Sequence, residues 1–409
     1  MRQEAKEKSS GAPITVTVEK LVYGGDGLAR NDGQVILLPY VLPGETVRAA
    51  AGRMKNGVMW MTGTPEILQR SPERTQPGCE YFSECGGCQY QHAEYAAQLE
   101  QKRSILLETL QRLGGIRYDC EIPVVSGEPW QYRNRVQLHF HERSMGFHKM
   151  GSHALCGIDH CPISSPFLNE VIRKLRDAVK RPEWPKFLRS LEVFTNEREV
   201  QLHILDSMRP VAARFFEWCG SFLPQFAPGA LEYLAAGHTF RISRGSFFQV
   251  NRFLIDQLVE VALDGLEGER AVDLHAGVGL FTLPLAQRFG SVQAIERSGP
   301  AYRDLEWNAQ GSGREIQTVK SSAEDFTREL TEAPDVVVAD PPRTGLGKEL
   351  TAELRRLQAP QLIVVSCDPT TLARDLRSLL EVYEIERLTL VDLFPQTFHF
   401  ETVVRLRKR

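Results

Sequence analysis

The sequence predicts a multidomain α/β protein. Its C-terminal part reads as a doubly wound, Rossmann-like domain, preceded by an OB-like β-barrel and a central α+β domain. Three observations predict this. AVDL (271–274), VQAIE (292–296), DVVVAD (335–340) and LIVVSC (362–367) are short apolar runs separated by helical stretches, the alternation of a parallel sheet covered on both faces. Between 14 and 68, the runs ITVTVEKLVY, QVILLPYV, ETVRAAAGRMK and GVMWMTGTPEIL are divided by the turn clusters GGDG, NDGQ and LPGE, so about five short strands fit a small barrel. Between 122 and 240, RVQLHFHE, LEVFTNE and EVQLHIL accompany a helical stretch near 166–180, which reads as a mostly antiparallel α+β domain.

Taken in order, residues 1–11 read as a disordered tail, 12–70 as the barrel, 71–240 as the central domain and 241–409 as the parallel-sheet domain. The central domain opens on prolines, glycines and clustered cysteines. AEYAAQLEQKRSILLETLQRLGG then carries apolar residues at helical spacing, with Gly114–Gly115 as a stop signal. This helix, 93–114, is expected to pack on the C-terminal domain. A length of 409 residues suits two or three domains. With 42% hydrophobic and 25% charged residues the composition is that of an ordinary globular protein. The net charge of −3 carries no global basic signature for nucleic acid, so any such binding must rest on a local patch. The charged N-terminus shows no signal-peptide core, and no run of about 18 apolar residues occurs to span a membrane. The protein is therefore expected in the cytoplasm. There its eight cysteines read as metal ligands, catalytic groups or core residues rather than disulfides.

The chemistry concentrates where the four apolar runs end. LIVV stops at Ser366, Cys367, Asp368 and Pro369, before a helical pattern that Thr370 or Thr371 would cap. A thiol at a helix N-terminus can be a depressed-pKa nucleophile; it can equally be a buried structural cysteine. In DLHAGVGLF, Gly277 and Gly279 let backbone approach a ligand, and Glu296 ends the next strand about 20 residues on, where a carboxylate can hold ribose hydroxyls. The fuller GxGxxG fingerprint is missing because position 282 is Thr, which suits S-adenosylmethionine better than NAD. After Asp340, Pro341 and Pro342 fix a rigid turn that holds Asp340 and Arg343 at the sheet edge. Cys79, Cys85 and Cys88 stand as C-x5-C-x2-C, and Cys161 is the candidate fourth thiolate, with Cys156 a rival. Four thiolates hold zinc or an iron–sulfur cluster; the lone, distant fourth ligand favours the cluster. Cys120 and Cys219 are read as ordinary buried thiols.

Together these segments resemble the RNA 5-methyluridine (uracil-C5) methyltransferase family, in particular its branch with an N-terminal TRAM domain and a [4Fe–4S] cluster. The resemblance runs through YGGDGLAR (23–30), CEYFSECGGCQYQH (79–92), YRNRVQLHF (132–140), HCPI (160–163), SFFQVN (246–251), DLHAGVGLF (273–281), VVADPPRTGL (337–346), SCDPTTLARDL (366–376) and FPQTFHFETV (394–403). It implies a class I methyltransferase domain, S-adenosyl-L-methionine as cofactor, and methylation of a uridine at C5. Cys367 matches the family's nucleophile and Glu401 its general base. Gln249, His275, Gly277, Gly279, Leu280, Glu296 and Asp340 match cofactor-lining positions, and SFFQVN would fold over the site as a lid. Cys79, Cys85, Cys88 and Cys161 match the cluster ligands, the cluster ordering the central domain and its RNA-facing loops.

The chain departs from the family at His275, Ala276 and Leu280, where an aromatic ring, a cysteine and often a small polar residue are usual. It also has Asp368 where asparagine is usual, and a carboxylate there is expected to oppose thiolate formation. Tyr23, Arg30, Tyr40 and Trp60 are candidates for gripping single-stranded RNA, and YRNR with RSMGFHK for phosphates. The enzyme is expected to be a monomer that acts on 23S rRNA, with no membrane partner. A tRNA uridine is the alternative within the same chemistry. An RNA-binding assembly factor with a vestigial site, or a methyltransferase for small molecules or proteins, are the alternatives from other classes.

Overall fold

The computed structural model describes residues 13–50, 52–223 and 225–409; the expected tail at 1–11 lies outside them. By packing, the chain divides into two compact units. One comprises the chain up to Ile105 together with Phe147–Cys156 and Phe394–Phe398; the other comprises Leu106–Gly146, Gly157–Leu393 and His399–Arg409.

The first unit is built on a seven-stranded sheet in the order Arg53–Lys55, Val58–Trp60, Gln34–Leu38, Gly27–Asn31, Ile14–Leu21, Thr46–Ala49, Glu66–Gln69. Seven strands replace the five or so expected: GLARN forms a strand of its own, and ETVRAAAGRMK and GVMWMTGTPEIL each divide into two. Val16, Val18, Ala29, Ile36, Leu38, Val41, Val47, Ala49 and Met61 form the core. Each buried valine, leucine or isoleucine contributes about 1.5–3 kcal/mol. At Gly27 a β-carbon would lie 2.3 Å from a Val41 methyl, so only glycine fits where the strand crosses that core. Tyr40 is buried in this unit, with its hydroxyl donating to the Ser83 carbonyl (3.2 Å) and its ring edge-on to Phe82.

In the second unit, Leu188–Thr195 pairs antiparallel with Arg135–His141 on one side and Val200–Ser207 on the other. The helix Pro166–Val179 starts on Ser165, whose hydroxyl accepts from the Leu168 amide. It buries Leu168, Val171, Ile172, Leu175, Ala178 and Val179, an amphipathic stripe at helical spacing.

The larger sheet of this unit has eight strands in the order Ile316–Val319, Phe289–Ile295, Gly268–Leu274, Val336–Ala339, Gln361–Ser366, Glu401–Lys408, Tyr383–Val391, Val124–Val125. The first five run parallel. They include the four expected apolar runs, which are nearly fully buried. The chain's last strand is antiparallel to Gln361–Ser366 and to Tyr383–Val391. The strand order reverses on either side of Gly268–Leu274, the switch point at which open α/β sheets bind ligands. The predicted helix 93–114 ends in a π-helical turn, Leu110–Gly114. That turn lies on the helix Pro369–Leu379, where a β-carbon added at Gly114 would come within 3.0 Å of the Ala373 carbonyl oxygen.

Candidate active site

Four parallel strands end on one edge and deliver His275, Glu296, Asp340 and Cys367 there. The fifth contribution comes from the opposite direction. Because the last strand is antiparallel and pairs Thr402 with Ser366, its first residue, Glu401, starts level with Cys367. Two side chains 34 positions apart in sequence thus meet at one edge through β-pairing.

The helix after Cys367 begins at Pro369, and its N-cap is Asp368 rather than either threonine. The Asp368 carboxylate accepts from the Thr370 amide at 2.8 Å and the Thr371 amide at 3.3 Å. Proline at the first helical position presets the backbone, and aspartate outranks threonine as a cap. Asp368 therefore has a structural assignment.

The cysteine itself is half-buried, and its thiol is pushed up to about 12, foremost by burial. The carboxyls of Glu401, Asp340 and, last, Asp368 add to that rise, and only Arg343 opposes it. Burial among carboxyls thus works against the depressed pKa that a helix N-terminus can give a thiol. Glu401 is buried, its Oε2 has no hydrogen-bond partner, and burial followed by Asp340 raises its pKa well above the carboxylate range. Asp340 is raised as well, by burial. Arg343, which opposes the rise at Cys367 and Glu401, lies with Nη2 3.4 Å from His399 Nε2. The backbone behind it turns at Gly345 (φ +76°), where a β-carbon would meet the Asp375 carboxylate at 2.3 Å.

On the cofactor side, the turn after Leu274 takes His275 (φ 60°), Gly277 (φ 58°) and Gly279 (φ 100°) through the left-handed region. A non-glycine residue there is strained, a feature that clusters at functional sites. The Gly277 amide donates to Glu296 Oε2 (2.9 Å), and a β-carbon on Gly277 would meet nothing within 4 Å, so the turn leaves open space beside a carboxylate. Buried Asp273 accepts from the Thr282 hydroxyl through one oxygen while the other, like His275 Nδ1, has no partner. Burial lifts Asp273 to about 7 and lowers His275, which favours the neutral imidazole. Ala276 packs with Ala294 and Leu305, so that position is filled by the core; Leu280 is buried too. Open glycine backbone, a carboxylate with spare lone pairs and unpartnered buried polar atoms together fit a nucleoside-bearing cofactor.

Gln249 is buried in a strap that is pinned rather than poised as a lid. Asn134 donates to the carbonyl of Gln249 (3.2 Å) from its side chain and to that of Val250 (3.0 Å) from its backbone. Asp304 accepts from the Ser243 amide and from the hydroxyls of Ser243 and Ser246, and Asn308, one turn along the same helix, donates to the Val278 carbonyl. That helix, Gly299–Gly311, thereby ties the strap and the glycine turn together.

The proposed phosphate patch YRNR also turns inward. Tyr132 and Asn134 are buried, and Arg135 lies over the Phe194 ring at 4.1 Å, donating to the Ser246 carbonyl and to Glu192. Of the barrel candidates, Tyr40 is core, Arg30 is paired with Glu19, Tyr23 stands edge-on to Phe398, and Trp60 is exposed. Among the described residues, no group of three or more His, Cys, Asp or Glu side chains is gathered to hold a metal ion. Cys79, Cys85, Cys88 and Cys156 belong to the first unit and Cys161 to the second. Cys219 is buried as expected, whereas Cys120 is exposed. The sequence reading missed Asp273, although its place at the end of the first strand signalled it. It also missed His399, which carried no local signal.

Comparison with known proteins adds to this geometry. Residues 230–409 match the family model described as tRNA (Uracil-5-)-methyltransferase, and residues 7–58 match the TRAM domain. An uncharacterized RNA methyltransferase from Aquifex aeolicus is 33% identical, over 96% of this chain and 98% of that one. A 23S rRNA (uracil(1939)-C(5))-methyltransferase from Halomonas elongata is 31% identical, over 99% and 92%. Among solved structures, the Pyrococcus abyssi tRNA (uracil-54, C5)-methyltransferase in complex with S-adenosyl-L-homocysteine superposes with a TM-score of 0.77. It is 24% identical, over 96% of this chain and 100% of that one.

Proposed function

Because the chain belongs to the RNA uracil-C5 methyltransferase family, with an N-terminal TRAM domain and S-adenosylmethionine as cofactor, we propose that it methylates C5 of a uridine in 23S rRNA, with Cys367 as nucleophile and Glu401 as general base. The observation that carries the roles is the antiparallel last strand, which starts Glu401 level with Cys367 at the edge where the cofactor turn also lies.

Uracil C5 is a weak nucleophile until the ring is activated. The Cys367 sulfur adds to C6, its proton leaving to water, and the ring electrons move onto the C4 carbonyl as an enolate. The cofactor, when bound, supplies an electrophilic methyl group that C5 takes up. Glu401, as carboxylate, then removes the C5 proton. The C5–H electrons restore the C5–C6 double bond, and the sulfur leaves C6 as thiolate. A carboxyl with a raised pKa is a stronger base than an ordinary one, which suits this last step. Glu296 and the Gly277–Gly279 turn would hold the cofactor's nucleoside, and Asp273 and Gln249 would support that turn and the strap beside it. A thiol pushed up to about 12 is protonated in the empty site. Arg343 is the group present that favours the thiolate, so substrate binding has to complete the activation.

We propose further that 12–70 is the RNA-gripping module and that Cys79, Cys85, Cys88 and Cys161 ligate a [4Fe–4S] cluster. Their spacing and the family resemblance support the cluster. Protein purified without oxygen should be brown with about four irons per chain; colourless or zinc-loaded protein would overturn the assignment.

The function is tested by incubating the protein and S-adenosylmethionine with 5-fluorouridine-substituted 23S rRNA or tRNA. Fluorine at C5 cannot be eliminated, so a covalent protein–RNA adduct accumulates. The expected result is an adduct with rRNA that Cys367→Ala abolishes. An adduct with tRNA alone moves the substrate to tRNA. No adduct with either RNA sinks the mechanism.

A further inference from the structure

The loop Phe394–Phe398 leads directly into His399, Phe400 and Glu401. Its centre, Gln396, is a non-glycine residue at φ 68° and is buried. Such a conformation persists only where the surroundings over-determine it, and here the surroundings are a dense hydrogen-bond set. The Gln396 carbonyl accepts from the amides of both Gln89 (3.0 Å) and Tyr90 (2.9 Å), the residues that follow Cys88. Its side chain and backbone form a reciprocal pair with Gln98. Gln98 Nε2 donates to Gln396 Oε1 at 3.0 Å, and the Gln396 amide donates to Gln98 Oε1 at 3.0 Å. Gln98 is itself buried, and its Nε2 also donates to the Ala93 carbonyl. Two residues before Gln396, the Phe394 carbonyl accepts from the fully buried Lys102 ammonium (3.0 Å). Two residues after it, Phe398 meets the Tyr23 ring edge-on at 5.3 Å.

We propose that Gln98 and Gln396 are positioning residues for the general base: they clamp the loop Phe394–Phe398 in its left-handed turn and so set where the strand beginning at Glu401 starts. This rests on the reading of Glu401 as the base. Nothing in the chemistry of thiol addition needs the clamp. Removal of the C5 proton does, because a general base must sit within hydrogen-bond reach of the proton it takes. Polar groups buried this thoroughly hold one geometry when fully paired and lose it when one partner goes. A clamp on the loop is therefore a more selective control on the last step than on the first.

The test separates the two steps in the full-length enzyme. Gln98→Met keeps the volume and removes the reciprocal bonds; Gln396→Asn keeps a residue tolerant of the left-handed turn and shortens its reach. On ordinary uridine rRNA, both variants should lose about 10- to 100-fold in kcat, the loss typical of a misplaced catalytic group, with KM unchanged. A methylated, covalently stalled adduct should build up. On 5-fluorouridine rRNA, where no proton is removed, both should form adduct at the wild-type rate. Glu401→Gln is the control and should stall in the same way. Unchanged kcat in both variants, or adduct formation on fluorinated RNA slowed in parallel, refutes the positioning role. If Glu401→Gln itself turns over without a stalled adduct, the base assignment falls and the clamp with it.

Discussion

Replacing Asp368 separates two roles that its position beside Cys367 confounds. The carboxylate caps the helix Pro369–Leu379 through the amides of Thr370 (2.8 Å) and Thr371 (3.3 Å), and it is the last and smallest of the three carboxyls that raise the neighbouring thiol. Asp368→Ala removes the acceptor and leaves two helix-start amides without a partner. That costs about 1–2 kcal/mol, or a fall in melting temperature of about 2–8 °C for a unit of this size. Asp368→Asn keeps an acceptor of equal capping rank and loses only the charge's interaction with the helix dipole, under about 1 kcal/mol. It removes a minor contribution at the thiol, so alkylation of Cys367 by iodoacetamide should quicken by less than about tenfold, which corresponds to one pKa step. Calorimetry on the three proteins and mass-spectrometric alkylation rates at a single pH are the assays. The reasoning fails if the asparagine variant is as unstable as the alanine variant. A more than tenfold jump in thiol reactivity would equally refute it, since Asp368 would then be a principal brake on the nucleophile.

Three other outcomes follow from the same geometry. With its thiol near 12, Cys367 in the RNA-free protein should alkylate about tenfold faster per pH unit up to pH 10; a plateau near pH 8.5 would contradict the burial argument. Asp273, lifted by burial to about 7, is neutral in the native state at low pH. A raised folded pKa gives stability that is present below about 4 and lost as pH climbs through 7. Asp273→Asn should therefore be more stable than wild type by a few kcal/mol in urea at pH 8 and indistinguishable from it near pH 4; an equal effect at both pH values refutes this. Gly345→Ala should cost about 2–4 kcal/mol, because it adds a β-carbon at φ +76° and 2.3 Å from the Asp375 carboxylate. A urea midpoint within error of wild type would show that the turn relaxes freely.

The sequence by itself determined the parallel half of the catalytic sheet and most of the site's membership. Strands buried on both faces read as unbroken apolar runs, so AVDL, VQAIE, DVVVAD and LIVVSC were legible, and the residues that end them were the ones that reach the edge. Only the tertiary structure decided the rest, because it depends on partners distant in sequence. The pairing of Thr402 with Ser366 is a long-range register, and no local pattern announces that Glu401 starts beside Cys367. YRNR looks like a basic patch in one dimension. In three, Arg135 lies over Phe194 and is spent on Glu192 and a carbonyl, and Asn134 pins the strap. The thiol likewise reads as activated from its place at a helix start. Burial among carboxyls supplied by other strands reverses that, because desolvation and charge are properties of the assembled site, not of the residue's neighbours along the chain.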